Sequence, residues 1–114
     1  MSNQHDVDIE QLEKLERSDD VLKAKLNLET AKTTWSAVER LFAGGHIIYV
    51  HQPLDLVSVG FRLARDDSQQ WQTWLKQCAV HPLTDEQAIA WHQNDSEMWA
   101  LVIKPWVLVQ NDKS

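Results

Sequence analysis

Cysteine and histidine are the residues of this chain best suited to metal binding or nucleophilic chemistry. Cys78 and His81 are separated by two residues, a spacing that occurs among zinc ligands, and His92 could join them in space. A structural zinc ion takes four ligands, commonly from two such pairs, and the sequence has no second pair. His46 and His51 are predicted to face opposite sides of one strand. We therefore expect no metal site, a buried thiol at Cys78 and ordinary surface histidines.

Catalytic chemistry finds little support in the sequence. Catalytic thiolates are favoured at helix N-termini, whereas Cys78 lies near the C-terminal end of its predicted helix. The chain has no Gly-x-Ser-x-Gly elbow, phosphate-binding glycine loop or HExxH motif. The acidic pairs Asp66-Asp67 and Asp85-Glu86 stand at predicted helix starts, where N-capping explains them. We expect no catalytic residue and no cofactor.

Six of the nine aromatic residues are tryptophan. Four lie on apolar faces of predicted helices and two in a terminal β segment: Trp35, Trp71, Trp74 and Trp91, then Trp99 and Trp106. A compact core explains at least four of them. Aromatic rings that are packed on one side and exposed to solvent on the other are typical of protein interfaces. The interface candidates are therefore Trp106, Trp99 and Trp74, led by Trp106, whose strand is expected at a sheet edge beside Pro105.

A pocket is the alternative role for the aromatic and histidine residues. Trp91, together with Trp74, would form its walls, and His81 or His92 would supply the polar group. Such a pocket would make the chain a small-molecule binder or an enzyme.

Hydrophobic periodicity predicts the elements that position these residues. Apolar residues recur every three or four positions over 21–42, which predicts one helical face, with Thr33-Thr34 able to break it into two helices. A capping box from Ser36 to Glu39 would start the second helix. The β-branched run 46–51 predicts a strand.

The segment 56–64 fits two structures. Val57, Val59 and Phe61 follow the alternation of a strand, whereas Leu54, Val57 and Phe61 also share a helical face that Asp55 could cap. We expect a strand, because β-branched residues and Gly60 disfavour a helix.

The second half of the chain carries clearer boundaries. Asp66-Asp67-Ser68 predicts the start of one helix, and a capping box between Thr84 and Gln87 starts another that ends near residue 94. The segment 98–109 is apolar and β-prone, and Pro105 should split it or confine it to a sheet edge or bulge.

These elements predict a single α+β domain at 21–110, with three or four helices packed on one face of a small, mostly antiparallel sheet. An acidic, flexible segment 1–20 precedes it and a tail 111–114 follows. Most of the net charge of −6 lies in the acidic segment. That segment is expected to be solvated rather than docked on the basic stretch that follows it.

The composition also predicts the cellular compartment of the protein and the class of partner that it binds. The single cysteine, the polar start and the short apolar runs predict a cytoplasmic protein without a membrane span. The net negative charge makes nucleic acid an unfavourable partner.

Several short sequence motifs resemble those of a family of small uncharacterised bacterial proteins, which is classed as a domain of unknown function. They are the LNLETA run at 26–31, Trp35, the ARDD run at 64–67 and the PWVLVQ run at 105–110. The resemblance covers about residues 21–110 and implies a bacterial source and one domain, but no mechanism. The sequence is best interpreted as a non-enzymatic binding or self-association module. Its partner would be a second copy or another protein, held through Trp106 and its neighbours.

Overall fold

The computed structural model describes residues 18–111, which form five helices and five strands. In chain order they are α1 (Asp19–Glu29), β1 (Ala31–Thr34), α2 (Trp35–Ala43), β2 (Ile47–Val50), α3 (Leu56–Ala64), α4 (Ser68–Lys76), β3 (Val80–Pro82), α5 (Asp85–Asn94), β4 (Glu97–Ile103) and β5 (Trp106–Gln110). The predicted α+β class is confirmed, with five helices where three or four were expected. None of the helices in the described range is long and apolar enough to cross a bilayer.

The strands form one sheet in the order β1-β4-β5-β2-β3. Only the β2–β5 pair is parallel, so the mostly antiparallel sheet is confirmed. Pro105 splits the terminal β segment as predicted, because it occupies the turn between β4 and β5. There its missing N–H costs the ladder no hydrogen bond. The edge position expected for Trp106 is wrong, since β5 is the central strand.

Helices cover both faces of the sheet. One apolar cluster lies under α2 and α5, and a second lies under α1, α3 and α4. All four residues of β2 are buried, with Ile47 and Tyr49 in the first cluster and Ile48 and Val50 in the second. The expectation of helices on one face is therefore wrong. The continuous apolar runs of β2 and β5 are what a strand buried on both faces requires.

The apolar stripe over 21–42 divides as Thr33-Thr34 suggested, but the break is itself a strand. Helix α1 ends at Glu29, and the hydroxyl of the C-cap residue Thr30 donates to the Leu26 carbonyl at 2.8 Å. The capping box expected within α2 does not form. The Ser36 N–H instead donates to Asp95 Oδ1 at 2.9 Å, so the first turn of α2 is capped from the end of α5.

Residues 56–64 form α3, so the predicted strand is wrong. Asp55 caps the helix by accepting a hydrogen bond from Ser58 N–H at 2.7 Å. Gly60 lies where α3 crosses β4, and a Cβ there would stand 2.7 Å from Leu101 Cδ2. The glycine that argued against a helix is therefore the residue that lets this helix approach the sheet.

The caps predicted for the last two helices are confirmed. Asp67 accepts a hydrogen bond from Gln70 N–H at 3.1 Å at the start of α4. Thr84 and Gln87 form the reciprocal capping box at the start of α5. The predicted flexible segment 1–20 falls largely outside the described residues, and so does most of the predicted tail 111–114.

Candidate functional site

The six tryptophans divide into two buried and four half-buried rings. Trp35 and Trp91 are only 5% and 7% exposed, within the cluster under α2 and α5. The other four pack against the second cluster: Trp71, Trp74, Trp99 and Trp106. The expectation of at least four core tryptophans is thus too high. Helix α4 buries no residue completely, so its two indoles cover the second cluster from one side only.

Two of the half-buried indoles line one pocket. The pocket has a volume of about 410 Å³ and is lined by Leu63, Asp66, Asp67, Ser68, Trp71 and Trp106. The turn between α3 and α4 supplies the polar residues, and the start of the central strand supplies Trp106. The Trp106 indole also makes a T-shaped contact with the His46 ring, with ring centres 6.1 Å apart. Packing on the fold therefore fixes Trp106 while part of its ring stays open.

The two carboxylates of this pocket differ in what they contact. Asp67 caps α4 and also accepts a hydrogen bond from Arg62 at 3.3 Å, so its charge is compensated. Asp66 holds a left-handed backbone conformation, φ 56°, which exposes its side chain at the turn. Within residues 18–111 the Asp66 carboxylate takes part in no ion pair or hydrogen bond. The pocket thus combines two indole rings with one uncompensated negative charge.

The remaining interface candidates lie elsewhere. Trp99 is half-buried on β4, where the Lys32 ammonium lies 5.8 Å from its ring centre. Trp74 is half-buried on α4 and packs on the second cluster. Neither lines the pocket of Trp71 and Trp106. The three candidates therefore do not form one surface around this pocket.

Two histidines lie close together at the edge of the sheet, where β3 is the outermost strand and pairs with β2. His51 Nε2 and His81 Nε2 are 2.8 Å apart, and His81 Nδ1 lies 2.8 Å from the Pro82 carbonyl oxygen. The Tyr49 ring is stacked on His81 and meets His51 edge-on. Partial desolvation of the exposed ring by its neighbours, and then the nearby His81, lower the pKa of His51 from its usual value of 6.5.

The predicted pocket of Trp91, His81 and His92 is spread over separate places. Trp91 is buried between Trp35 and Tyr49, with ring centres 6.3 and 6.1 Å away. His92 is exposed, and its Nδ1 accepts a hydrogen bond from Trp35 Nε1 at 3.3 Å. His81 contacts Tyr49 and His51 instead.

Cys78 is exposed, so the buried thiol expected there is wrong. It follows α4 with φ 58°, where its N–H donates to the Leu75 carbonyl, and this left-handed position faces solvent. In the part of the chain that the structure describes, no three or more His, Cys, Asp or Glu side chains are grouped to hold a metal ion. Cys78, His81 and His92 are therefore not brought together.

Sequence reasoning named Trp106 and His81 but missed their partners. The sequence places Trp71 on an apolar helix face, Asp66 at a helix start and His51 on a strand with His46, and it connects none of them with Trp106 or His81. The adjacent acids at 66–67 carried one usable signal, because a single N-cap needs only one of them.

The structure defines a small α+β domain with helices on both faces of a five-stranded sheet and a pocket lined by two indoles and the carboxylate of Asp66. Residues 21–111 match the family model described as protein of unknown function (DUF2288), and the chain belongs to that family. It is similar to PA1075 from Pseudomonas aeruginosa, whose solution structure was determined by NMR, with 34% sequence identity and a TM-score of 0.70. The similarity covers 82% of this chain and 86% of that one. No curated protein matches the chain.

Proposed function

We propose that this chain is a non-enzymatic binding module that holds an organic cation, an alkylammonium or guanidinium group, at Trp71 and Trp106. The carboxylate of Asp66 carries the proposal, because it lines the same pocket as the two indoles without a cation of its own within residues 18–111. Aromatic faces and a carboxylate are the groups that recognise an ammonium ion.

The size and energetics of the pocket fit such a ligand. Its volume of about 410 Å³ lies in the range of small-molecule sites. A cation on a tryptophan face gains about 0.5–1 kcal/mol when exposed and about 2 kcal/mol when desolvated. The exposed Asp66 carboxylate adds at most about 1 kcal/mol. The pocket alone therefore supports weak binding of a simple cation.

The cation can come from a free small molecule or from a lysine or arginine side chain of a protein, including a second copy of this chain. The interface role proposed for Trp106 is then side-chain insertion into the pocket. Strand pairing by β5 cannot serve this role, since both of its edges are paired inside the sheet.

A matched pair of ligands tests the charge requirement. Choline and its neutral isostere 3,3-dimethylbutan-1-ol have nearly the same shape but differ in charge. We expect choline to shift the NMR signals of the Trp71 and Trp106 indole N–H groups, with an affinity roughly 5–30-fold higher than the isostere. Equal affinities, or shifts confined to other tryptophans, would contradict the proposal.

Variants test the residues. Asp66→Asn keeps the volume and tolerates the left-handed backbone, so we expect it to fold normally and to lower the preference for choline by up to about fivefold, with the remainder supplied by the two indoles. Asp85→Asn at the start of α5 is the control and should bind like the parent chain. Mass measurement at micromolar concentration distinguishes the two sources of the cation. A dimer that dissociates when choline is added means that a second copy of the chain supplies the cation.

A further inference from the structure

We propose that His51 and His81 together form a binding site for a divalent transition-metal ion such as Zn²⁺. The site is separate from the pocket of Trp71 and Trp106 and does not depend on the function proposed for that pocket. It uses one residue of the metal set considered from the sequence, His81, with a partner that the spacing of the chain did not reveal.

Strand pairing at the sheet edge brings the two rings together. In the antiparallel β2–β3 pair, Tyr49 lies opposite His81 and Val50 lies opposite Val80. The His51 N–H donates to the Ala79 carbonyl at 2.9 Å, which continues the pairing by one residue. His51 is thus a diagonal neighbour of His81 on the same face, within reach for side chains of this length. Their ring centres are 4.9 Å apart.

The hydrogen bonds determine which ring nitrogens carry protons. The Pro82 carbonyl can only accept, so His81 Nδ1 donates to it and neutral His81 keeps a lone pair on Nε2. At 2.8 Å from this lone pair, His51 Nε2 must be the donor. When the proton of neutral His51 moves to Nδ1, two Nε2 lone pairs converge on one point. A metal ion bound by both lone pairs then takes the place of the hydrogen bond between the rings, and the proton stays on His51 Nδ1, so no net proton is released.

Metal binding requires a small change in distance and a tilt of both rings, because the Nε2 lone pair of His81 now points at His51 Nε2. Zinc binds imidazole nitrogen at about 2.0–2.1 Å, so two nitrogens at a tetrahedral angle stand roughly 3.3 Å apart. The two Nε2 atoms, now at 2.8 Å, need to separate by only about 0.5 Å.

One of the two rings already has the second hydrogen bond that is typical of a metal-binding histidine. Metal-binding histidines usually donate their second ring N–H to a carbonyl or carboxylate, as His81 does to Pro82. The Tyr49 ring contacts both imidazoles, with ring centres 4.8 Å from His51 and 5.7 Å from His81. His51 is exposed and His81 half-buried, so the ion has access and water completes its coordination.

Titration of the tag-free chain with ZnCl₂ in a non-coordinating buffer tests the site. We expect one Zn²⁺ per chain with a Kd below about 1 mM. At ten times the Kd, free Zn²⁺ should raise the unfolding midpoint by roughly 6–11 °C for a domain of this size. NMR of the imidazole nitrogens should show the largest change at Nε2 of His51 and His81. Absence of binding at 1 mM, or a change at other histidines, overturns the proposal.

Single variants assign the ligands. His51→Gln and His81→Gln should each weaken Zn²⁺ binding at least about tenfold, since one imidazole alone is a poor site. His46→Gln and His92→Gln are matched controls and should leave the Kd within about twofold. Circular dichroism and the metal-free unfolding midpoint verify that each variant folds. Retention of parental binding by the folded His51→Gln, His81→Gln double variant also overturns the proposal.

Discussion

Gly60 in α3 lies so close to Leu101 in β4 that a methyl group at position 60 would stand 2.7 Å from Leu101 Cδ2. Leu101 is completely buried, and Ile103 Cδ1 lies 3.4 Å from the same point. The contact sets how near α3 approaches the sheet, and with it the position of Leu63 and the following turn at the indole pocket.

Gly60→Ala should therefore destabilise the fold. Alanine improves helix propensity by about 1 kcal/mol, whereas overpacking a buried contact costs about 1–3 kcal/mol. We expect the free energy of unfolding in urea to fall by up to about 2 kcal/mol. The double variant with Leu101→Ala provides the control: in that background the extra methyl enters the space left by leucine and should be neutral or stabilising. The same loss in both backgrounds would contradict the contact.

Cys78→Gly should stabilise the protein. A side chain in the left-handed region costs roughly 1–2 kcal/mol, and glycine is the residue preferred after a helix C-terminus. The glycine also makes the unfolded chain more flexible, which offsets part of the gain. We expect the free energy of unfolding to rise by about 0.5–1 kcal/mol, measured by urea denaturation. Cys78→Ala keeps the Cβ and should show no such gain; equal effects of the two would count against backbone strain.

Asp95 should contribute to two helices at once. It ends α5 in the left-handed conformation, φ 43°, and its carboxylate caps α2 through Ser36 N–H. Asp95→Gly removes the cap but also relieves the cost of a side chain in the left-handed region, which is smaller for Asp than for most residues, so we expect a loss of less than about 1 kcal/mol. Asp95→Ala also introduces strain and should cost about 2 kcal/mol in all. If the alanine variant, which keeps the Cβ, were as stable as the parent chain, the cap on α2 would be unimportant.

Acidification should weaken the metal-free fold through His51. Its pKa is lowered in the folded state, so the unfolded chain binds the proton more tightly. The contribution is fully present above pH 6.5, the ordinary histidine value, and is lost as pH falls through the lower pKa of the folded state. With EDTA present, we expect an NMR titration midpoint for His51 below 6.5. His51→Gln should flatten the decline in unfolding free energy over this range, and a midpoint at or above 6.5 would refute the prediction.

Local signals explain what the sequence could predict. The caps at Asp67 and Thr84, the strand at 47–50 and the split at Pro105 all depend on residues within a few positions of one another. The cap on α2 could not be predicted, because its acceptor is Asp95, far along the chain. Segment 56–64 was misjudged for the same reason: the space that Gly60 provides has meaning only once Leu101 lies beside it.

The candidate site shows the same division. Trp106 and His81 stood out by residue type and position. Their partners Trp71, Asp66 and His51 depend on how α4 packs and on which strands are adjacent. Those relationships are tertiary, and the spacing of residues along the chain does not encode them in a local pattern.

The central place of β5 also bears on how the protein is made. On the ribosome, β1, β2 and β3 emerge before residues 97–110, and of these only β2 and β3 pair directly with each other. Strand β5, which joins the two halves of the sheet, is the last of the five strands to be synthesised. Until then β2 has one unpaired edge, and its apolar residues are exposed there. The whole sheet can therefore form only after residues 106–110 have left the exit tunnel, and until then the inner edge of β2 has no partner strand.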